Sequence, residues 1–211
     1  MTASASASDD ELLEAWRAGD RRAGGDLIGR YFRPLYRFFA SKVRGGAEVE
    51  ELVQRTFTAA TSGVDRFRGQ ASARTWLFAI ARNVLKQWYE RQARARAREG
   101  APPERSVADL GVGPNTALEL QEEQRRLVAA LQRQPLDAQI LLELTYWERL
   151  TARELAAVFD VPEGTIRTRL RKAKLDLRGT LDALARTRAE VEATMMGLET
   201  WAGELRDAWQ R

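Results

Sequence analysis

Apolar residues recur at three- and four-residue spacing through most of the chain, and no stretch shows the two-residue alternation of a strand. The first run opens at Ser8. Glu11 stands three residues on, the spacing of a capping box, and a helix through Leu12, Leu13 and Trp16 follows. Gly19-Asp20 interrupts it. Leu27, Ile28, Tyr31, Phe32, Leu35, Tyr36, Phe38 and Phe39 then form a wide apolar stripe, and Pro34 within it predicts a kink or an early start. After Gly45-Gly46 a third helix is expected from about Ala47 to Ser62, with Val49, Leu52, Val53 and Phe57 inward and Glu48, Glu50, Glu51 and Gln54 outward. Gly63 to Ser72 reads as a loop. From Thr75 to about Arg98 a long helix carries Trp76, Leu77, Ile80, Val84 and Leu85 and fades into a basic tail.

Residues 100–116, with their Pro and Gly, read as a flexible linker. Helical spacing resumes from Ala117 to Leu131, breaks at Pro135 and resumes from Ala138 to Tyr146. A short helix, a turn and a further helix then fill Thr151 to about Leu177. The fold class this predicts is all-α: two small helical domains joined by a flexible linker, the second a helix-turn-helix, plus a C-terminal helical extension. The expected boundaries are a disordered tail over 1–8, a first domain over 9–99, the linker, a second domain over 117–178 and an extension over 179–211.

Thr151 to Lys174 carries the sharpest local signals. Thr151 and Glu154 have capping-box spacing, and Leu150 and Leu155 can form a hydrophobic staple. Leu155, Ala156 and Val158 face inward, Asp160-Val161 turns the chain, and Pro162 suits the first turn of the next helix. There Ile166, Leu170 and Ala173 make a buried stripe, which leaves Thr165, Arg167, Thr168, Arg169, Arg171 and Lys172 on the other face. A helix in the major groove reads base edges near its N-terminus and holds phosphates along its flanks. Arg167, Thr168 and Arg171 are expected nearest the bases; Arg169, Lys172 and Lys174 are expected on phosphates.

Composition narrows the chemistry. The 211 residues are 44% hydrophobic and 30% charged, with neither Cys nor His, so disulfides, thiolate nucleophiles, imidazole bases and the commonest metal ligands are absent. No catalytic residues, metal or cofactor are expected, and the chain does not read as an enzyme. Without a signal-peptide pattern or an apolar run of membrane length, a cytoplasmic protein with no membrane insertion is expected. The net charge is only +4, but Lys and Arg concentrate in two blocks, Arg66 to Arg98 and Arg167 to Arg178, which points to two contacts with a polyanion.

VPEGTIRTRLRKAKLDLR, residues 161–178, resembles the promoter-recognition helix in region four of extracytoplasmic-function sigma factors, within the sigma-70 family. EELVQRTFTAA and DRFRGQASARTWLFAIARN resemble their region two. The resemblance implies binding to core RNA polymerase, on the beta-prime clamp helices and the beta flap, and to promoter DNA. Glu50, Glu51, Leu52, Gln54 and Phe57 match the clamp-binding face, where Arg55 stands in place of the family's usual acid. The loop from Phe67 to Ser72 and the helix after it match the reader of the minus-ten element, which takes a flipped base of the opened strand. Its matching residues are Arg66, Phe67, Arg68, Gly69, Gln70, Ser72, Arg74, Arg82, Asn83 and Lys86. Trp76 lies among them but continues the apolar stripe. The recognition helix, with Thr165, Arg167, Thr168, Arg169, Arg171 and Lys172, would read the minus-thirty-five element.

Beyond Arg178 the resemblance ends. Leu181, Leu184, Val191, Met195, Leu198, Leu205 and Trp209 form a heptad-like seam in an acidic segment. It is expected either to pack back on the preceding domains or to bind a regulator, tuning access to DNA or polymerase, or simply to stabilise the fold; an anti-sigma factor is a further candidate regulator. The rival reading is a helix-turn-helix regulator that dimerises through this seam and never touches core polymerase.

Overall fold

The computed structural model describes residues 7–98, 122–185 and 187–197. Among these the chain is helical and forms no strand. Helix α1 (Asp9–Arg17) begins at the expected capping box: the Ser8 hydroxyl accepts from the Glu11 N–H at 3.3 Å, and the Glu11 carboxylate accepts from the Ser8 N–H at 2.7 Å. Ser8 is thus a fixed cap, whereas residues 1–6 of the expected disordered tail lie outside the described residues. Asp20 caps α2 (Arg21–Ala40), which stays one helix past Pro34. α1 crosses α2 closely at Gly24, where a Cβ would come within 2.7 Å of the Trp16 ring. Only glycine fits under that indole.

α3 (Gly46–Gly63) packs on α2 and on α4 (Ala73–Arg98). Its inward residues are those expected: Val49, Leu52, Val53 and Phe57 are all buried. Between α3 and α4 run one 3₁₀ turn, Val64–Arg66, and the loop from Phe67 to Ser72. The second half comprises α5 (Glu122–Gln132), α6 (Leu136–Tyr146), α7 (Ala152–Phe159) and α8 (Glu163–Leu184). The expected linker over 100–116 lies outside the described residues.

Thr151 and Glu154 form the second predicted capping box, and Asp160 closes α7 in the left-handed conformation at φ 53°, ψ 52°. Short polar side chains tolerate that region better than branched ones. Pro162 is the N-cap of α8, one position earlier than the first-turn place expected for it. α8 also runs to Leu184, through the boundary expected at residue 178, because Leu177 and Leu181 prolong the buried stripe of Ile166 and Ala173. After a turn, residues 188–197 are helical and fold back. Val191 is buried there with Leu127, Leu131, Leu142, Leu177 and Leu181, and Glu190 pairs with Arg126 at 3.0 Å. The predicted seam residues Leu198, Leu205 and Trp209 lie outside the described residues.

One apolar core runs through both halves. Phe78, Ala81 and Leu85 belong to it together with Ile140, Leu144, Val158 and Phe159, and α4 against α7 is its main junction. The second core, under α5, α6 and α8, is confined to the C-terminal half.

Candidate nucleic-acid interface

The outer face of α8 is built as expected. Arg167, Thr168, Arg169, Arg171 and Lys172 are exposed and Thr165 is half-buried. Opposite them Ile166, Ala173, Leu177 and Leu181 are buried, which fixes the rotation of the helix. Arg167 pairs with Glu163 and Lys172 with Asp176 at 2.7 Å, each one turn along the helix and well exposed. Such pairs contribute only about 0.3–0.5 kcal/mol, so they give way readily to phosphate. Lys174 points elsewhere: its ammonium lies over the Tyr146 ring, 5.2 Å from the centroid, so it is not presented alongside the other cations.

The loop before α4 is held at both ends. Ser72 acts as cap to α4, its hydroxyl accepting from the Thr75 N–H at 3.2 Å, while the Ala73 N–H donates to Asp10 at 2.6 Å. Arg17 donates to the Phe67 carbonyl at 3.1 Å. The Phe67 ring packs on Trp76, and Trp76 meets Trp16 edge-on, so both aromatics are half-buried parts of the loop's floor. Gly69 sits at φ +68°, where a side chain would be strained, and its neighbours Arg66, Arg68 and Gln70 are exposed.

Along α4 the candidate residues divide. Asn83 and Lys86 are exposed. Arg82 is not: its side chain retains 12% exposure, bonds both oxygens of Asp137 at 3.0 and 3.2 Å, and stacks over the Phe159 ring at 4.4 Å. Arg74, half-buried, lies 3.8 Å from Glu148. A pocket of about 350 Å³ is walled on one side by Gly69, Gln70, Ala71, Ser72 and Thr75 and on the other by Arg153, Glu154 and Ala157 of α7.

On α3, Glu50, Glu51 and Gln54 are exposed on one face, and Arg55 pairs with Glu51 at 3.5 Å on its own helix. Leu52 and Phe57 depart from their expected role. Leu52 has no exposed surface and Phe57 almost none, because both belong to the inward stripe that packs α3 on α2 and α4. They support the acidic face from beneath.

The residues that sequence reasoning passed over are the acids of the C-terminal half and the lysine that meets them. Lys42 is fully buried and donates to Glu143, to the Phe38 carbonyl at 2.7 Å and to the Ser41 hydroxyl at 2.9 Å. Burial lowers the Lys42 ammonium from its ordinary value, with the Glu143 carboxylate opposing that shift. Glu148 lies 3.5 Å from Arg37 as well as near Arg74. A signal existed for Glu143: it is the one charge within the run Ile140 to Leu144. Its partner had none.

Comparison with known proteins agrees with this layout. The family model for sigma-70 region 2 matches residues 27–95, and that for sigma-70 region 4 matches residues 124–177. The ECF RNA polymerase sigma-E factor of Salmonella typhimurium is 30% identical over 186 residues, covering 85% of this chain and 97% of that protein. Among solved structures, CnrH in complex with the cytosolic domain of CnrY superposes with a TM-score of 0.62 at 24% identity, covering 84% of this chain and 99% of that one. The sigma factor RpoE in complex with the anti-sigma factor NepR, from Bartonella quintana, gives 0.57 at 24% identity, covering 72% and 92%.

Proposed function

The chain belongs to the extracytoplasmic-function group of the sigma-70 family, and from that membership we propose a division of labour among its surfaces. As a sigma factor it binds core RNA polymerase and directs promoter recognition. The acidic face of Glu50, Glu51 and Gln54 docks on a basic groove of the polymerase, the beta-prime clamp helices, while the C-terminal half meets the beta flap. The face of Arg167, Thr168, Arg169, Arg171 and Lys172 enters the major groove of the minus-thirty-five element, with Arg167, Thr168 and Arg171 nearest the bases.

The loop from Phe67 to Ser72 takes the flipped base of the minus-ten element. Arg66, Arg68, Arg74, Arg82 and Lys86 hold the flanking strand, and Gln70 and Asn83 offer hydrogen bonds to base edges. Unstacking a base costs a few kcal/mol, which a shaped pocket and stacking on an aromatic ring offset. The chemistry of RNA synthesis stays with the polymerase, and this chain supplies address and opening within the cytoplasm. A protein regulator of the anti-sigma kind, as in the Bartonella quintana complex, belongs to the same proposal.

The observation that carries this reading is the pairing, in one chain and in family order, of an outward cationic recognition helix with a capped loop and basic helix. The rival dimeric regulator is not favoured: it leaves the loop and α4 idle, and Val191 of its would-be dimer seam is already buried in the chain's own core. The test is transcription in vitro with core polymerase, this chain and a genomic DNA library. Start sites that depend on the chain and share two spaced sequence elements are expected; no dependent start would sink the reading.

A further inference from the structure

The helix of residues 188–197 is a separate piece laid on the C-terminal half, not a prolongation of α8. α8 ends at Leu184, Ala185 is extended at φ −84°, ψ 154°, and the Thr187 hydroxyl then accepts from the Glu190 N–H at 3.3 Å as a fresh cap. A helix this short is marginal alone in water. Its order therefore comes from the groove it lies in, walled by Leu127 and Leu131 of α5 and by Leu177 and Leu181 of α8.

The groove is more apolar than its occupant. All four leucines are buried, but among the described residues the segment offers them one buried apolar side chain, Val191, and a half-buried Met195. Between these two Thr194 is fully enclosed, its hydroxyl turned back onto the Glu190 carbonyl of its own helix at 2.8 Å. The charged edges match no better. Arg126 Nη1 is buried 3.0 Å from the Glu190 carboxylate without making an aligned hydrogen bond, and Arg178 stands 3.9 Å from Glu192. A buried donor without an aligned acceptor has lost water for an incomplete return, so a better placed carboxylate would gain there. A cleft of about 370 Å³, with Arg178, Asp182 and Arg188 in its walls, opens between α8 and the segment and reaches the Val191 anchor.

We infer that this groove receives an amphipathic helix of core RNA polymerase, and that residues 188–197 are a weak resident which that helix displaces. The inference rests on the reading that the C-terminal half meets the beta flap; it names the surface and what covers it. The groove specifies its ligand by chemistry: apolar side chains at i, i+3 and i+4 that fill more space than valine and threonine, with carboxylates toward Arg126 and Arg178. Leu177 and Leu181 lie on the buried side of α8, away from Arg167, Arg171 and Lys172, so polymerase and duplex DNA can be held at once. The resident lowers polymerase affinity by as much as its own hold on the groove.

Val191→Asp puts a charge on the segment's anchor and leaves the groove itself intact. Affinity for core polymerase, read by fluorescence anisotropy of the labelled full-length chain, should rise roughly tenfold, the low end of what burying one valine side chain returns. The rise should vanish with polymerase whose beta flap is deleted, and duplex binding by α8 should match the parent. The opposite manipulation exploits the absence of cysteine. Arg178→Cys with Glu192→Cys, both positions about half-exposed, can be joined by a reducible bismaleimide. The linked chain should bind polymerase more weakly than the same chain after the linker is reduced.

A segment that merely completes the C-terminal core gives the reverse pattern, lower stability with no gain in affinity, and that result overturns the inference. Equal binding by linked and reduced chains does the same, as does a gain that persists without the flap. Start sites that depend on the chain, with equal polymerase affinity in parent and Val191→Asp, remove the displaceable resident alone. No dependent start and no polymerase binding by any of these chains remove the initiation role, and the inference falls with it.

Discussion

The two regions proposed to face DNA present their cations differently. On α8 the side chains of Arg167 and Lys172 are 73% and 75% exposed, and their partners are glutamate and aspartate one turn away on the same helix. On α4 the side chains of Arg74 and Arg82 are 33% and 12% exposed, and their partners come from the other half of the chain. A pair within one helix only tunes a surface, whereas a pair between halves ties a side chain's availability to the packing of the halves. One set of cations is therefore exposed on its own helix, and the other is engaged across the junction between the halves.

The comparison breaks most visibly at its buried latch. Glu143→Ala leaves the Lys42 ammonium without its partner inside the junction, and urea denaturation should show a loss of about 3–5 kcal/mol. Lys42→Met with Glu143→Leu should recover most of that, since an apolar pair of similar volume often replaces a buried ion pair at little cost. If the single and double variants were equally unstable, the ion pair would not be what matters at this junction.

A second break strikes the strand side only. Gly24→Ala drives a methyl into the Trp16 ring, which carries Trp76 and through it the floor of the loop. It should cost about 1–3 kcal/mol by overpacking. Single-strand binding should weaken in folded protein while duplex binding by α8 holds. The matching probe of the duplex side is Arg171→Ala. On an exposed side chain it should leave the melting temperature in place, yet reduce promoter duplex affinity by about 1–3 kcal/mol in a titration at fixed salt.

The smallest effect concerns the start of α7. Thr151→Ala removes a capping oxygen and should cost about 1 kcal/mol. Glu154 adds a pH signature. Burial alone would raise its carboxyl, but the Thr151 N–H and hydroxyl, the Arg74 charge and the Thr75 hydroxyl outweigh that and hold it below the ordinary 4.5. A depressed carboxyl stabilises in full above its ordinary value, and the contribution is lost as pH falls through the lower folded value. Stability of the parent should therefore decline on the acid side of about pH 4.5, and the Thr151→Ala variant should show a shallower decline there.

Much of the fold was readable before any coordinates. Both capping boxes, at Ser8 and Thr151, lie where three-residue spacing put them. The inward stripe of α3 and the turn at Asp160 were equally legible. Errors came where a local rule met a longer-range one. The family motif contains Leu52 and Phe57, but their periodicity points inward, and the core claims them. α8 outran its expected end because Leu177 and Leu181 find Leu127 and Val191, residues that no window of α8 contains.

What the sequence determined by itself is what hydrogen bonds and side-chain contacts over three or four positions decide: where helices begin, which face is apolar, and which face of α8 is cationic. The tertiary structure alone decided which of those cations are available. Lys42 and Glu143 stand 101 positions apart, and Arg82 and Asp137 stand 55 apart. At such separation the chain imposes no register between partners, so their pairing follows only from the packing of α4 against α6 and α7.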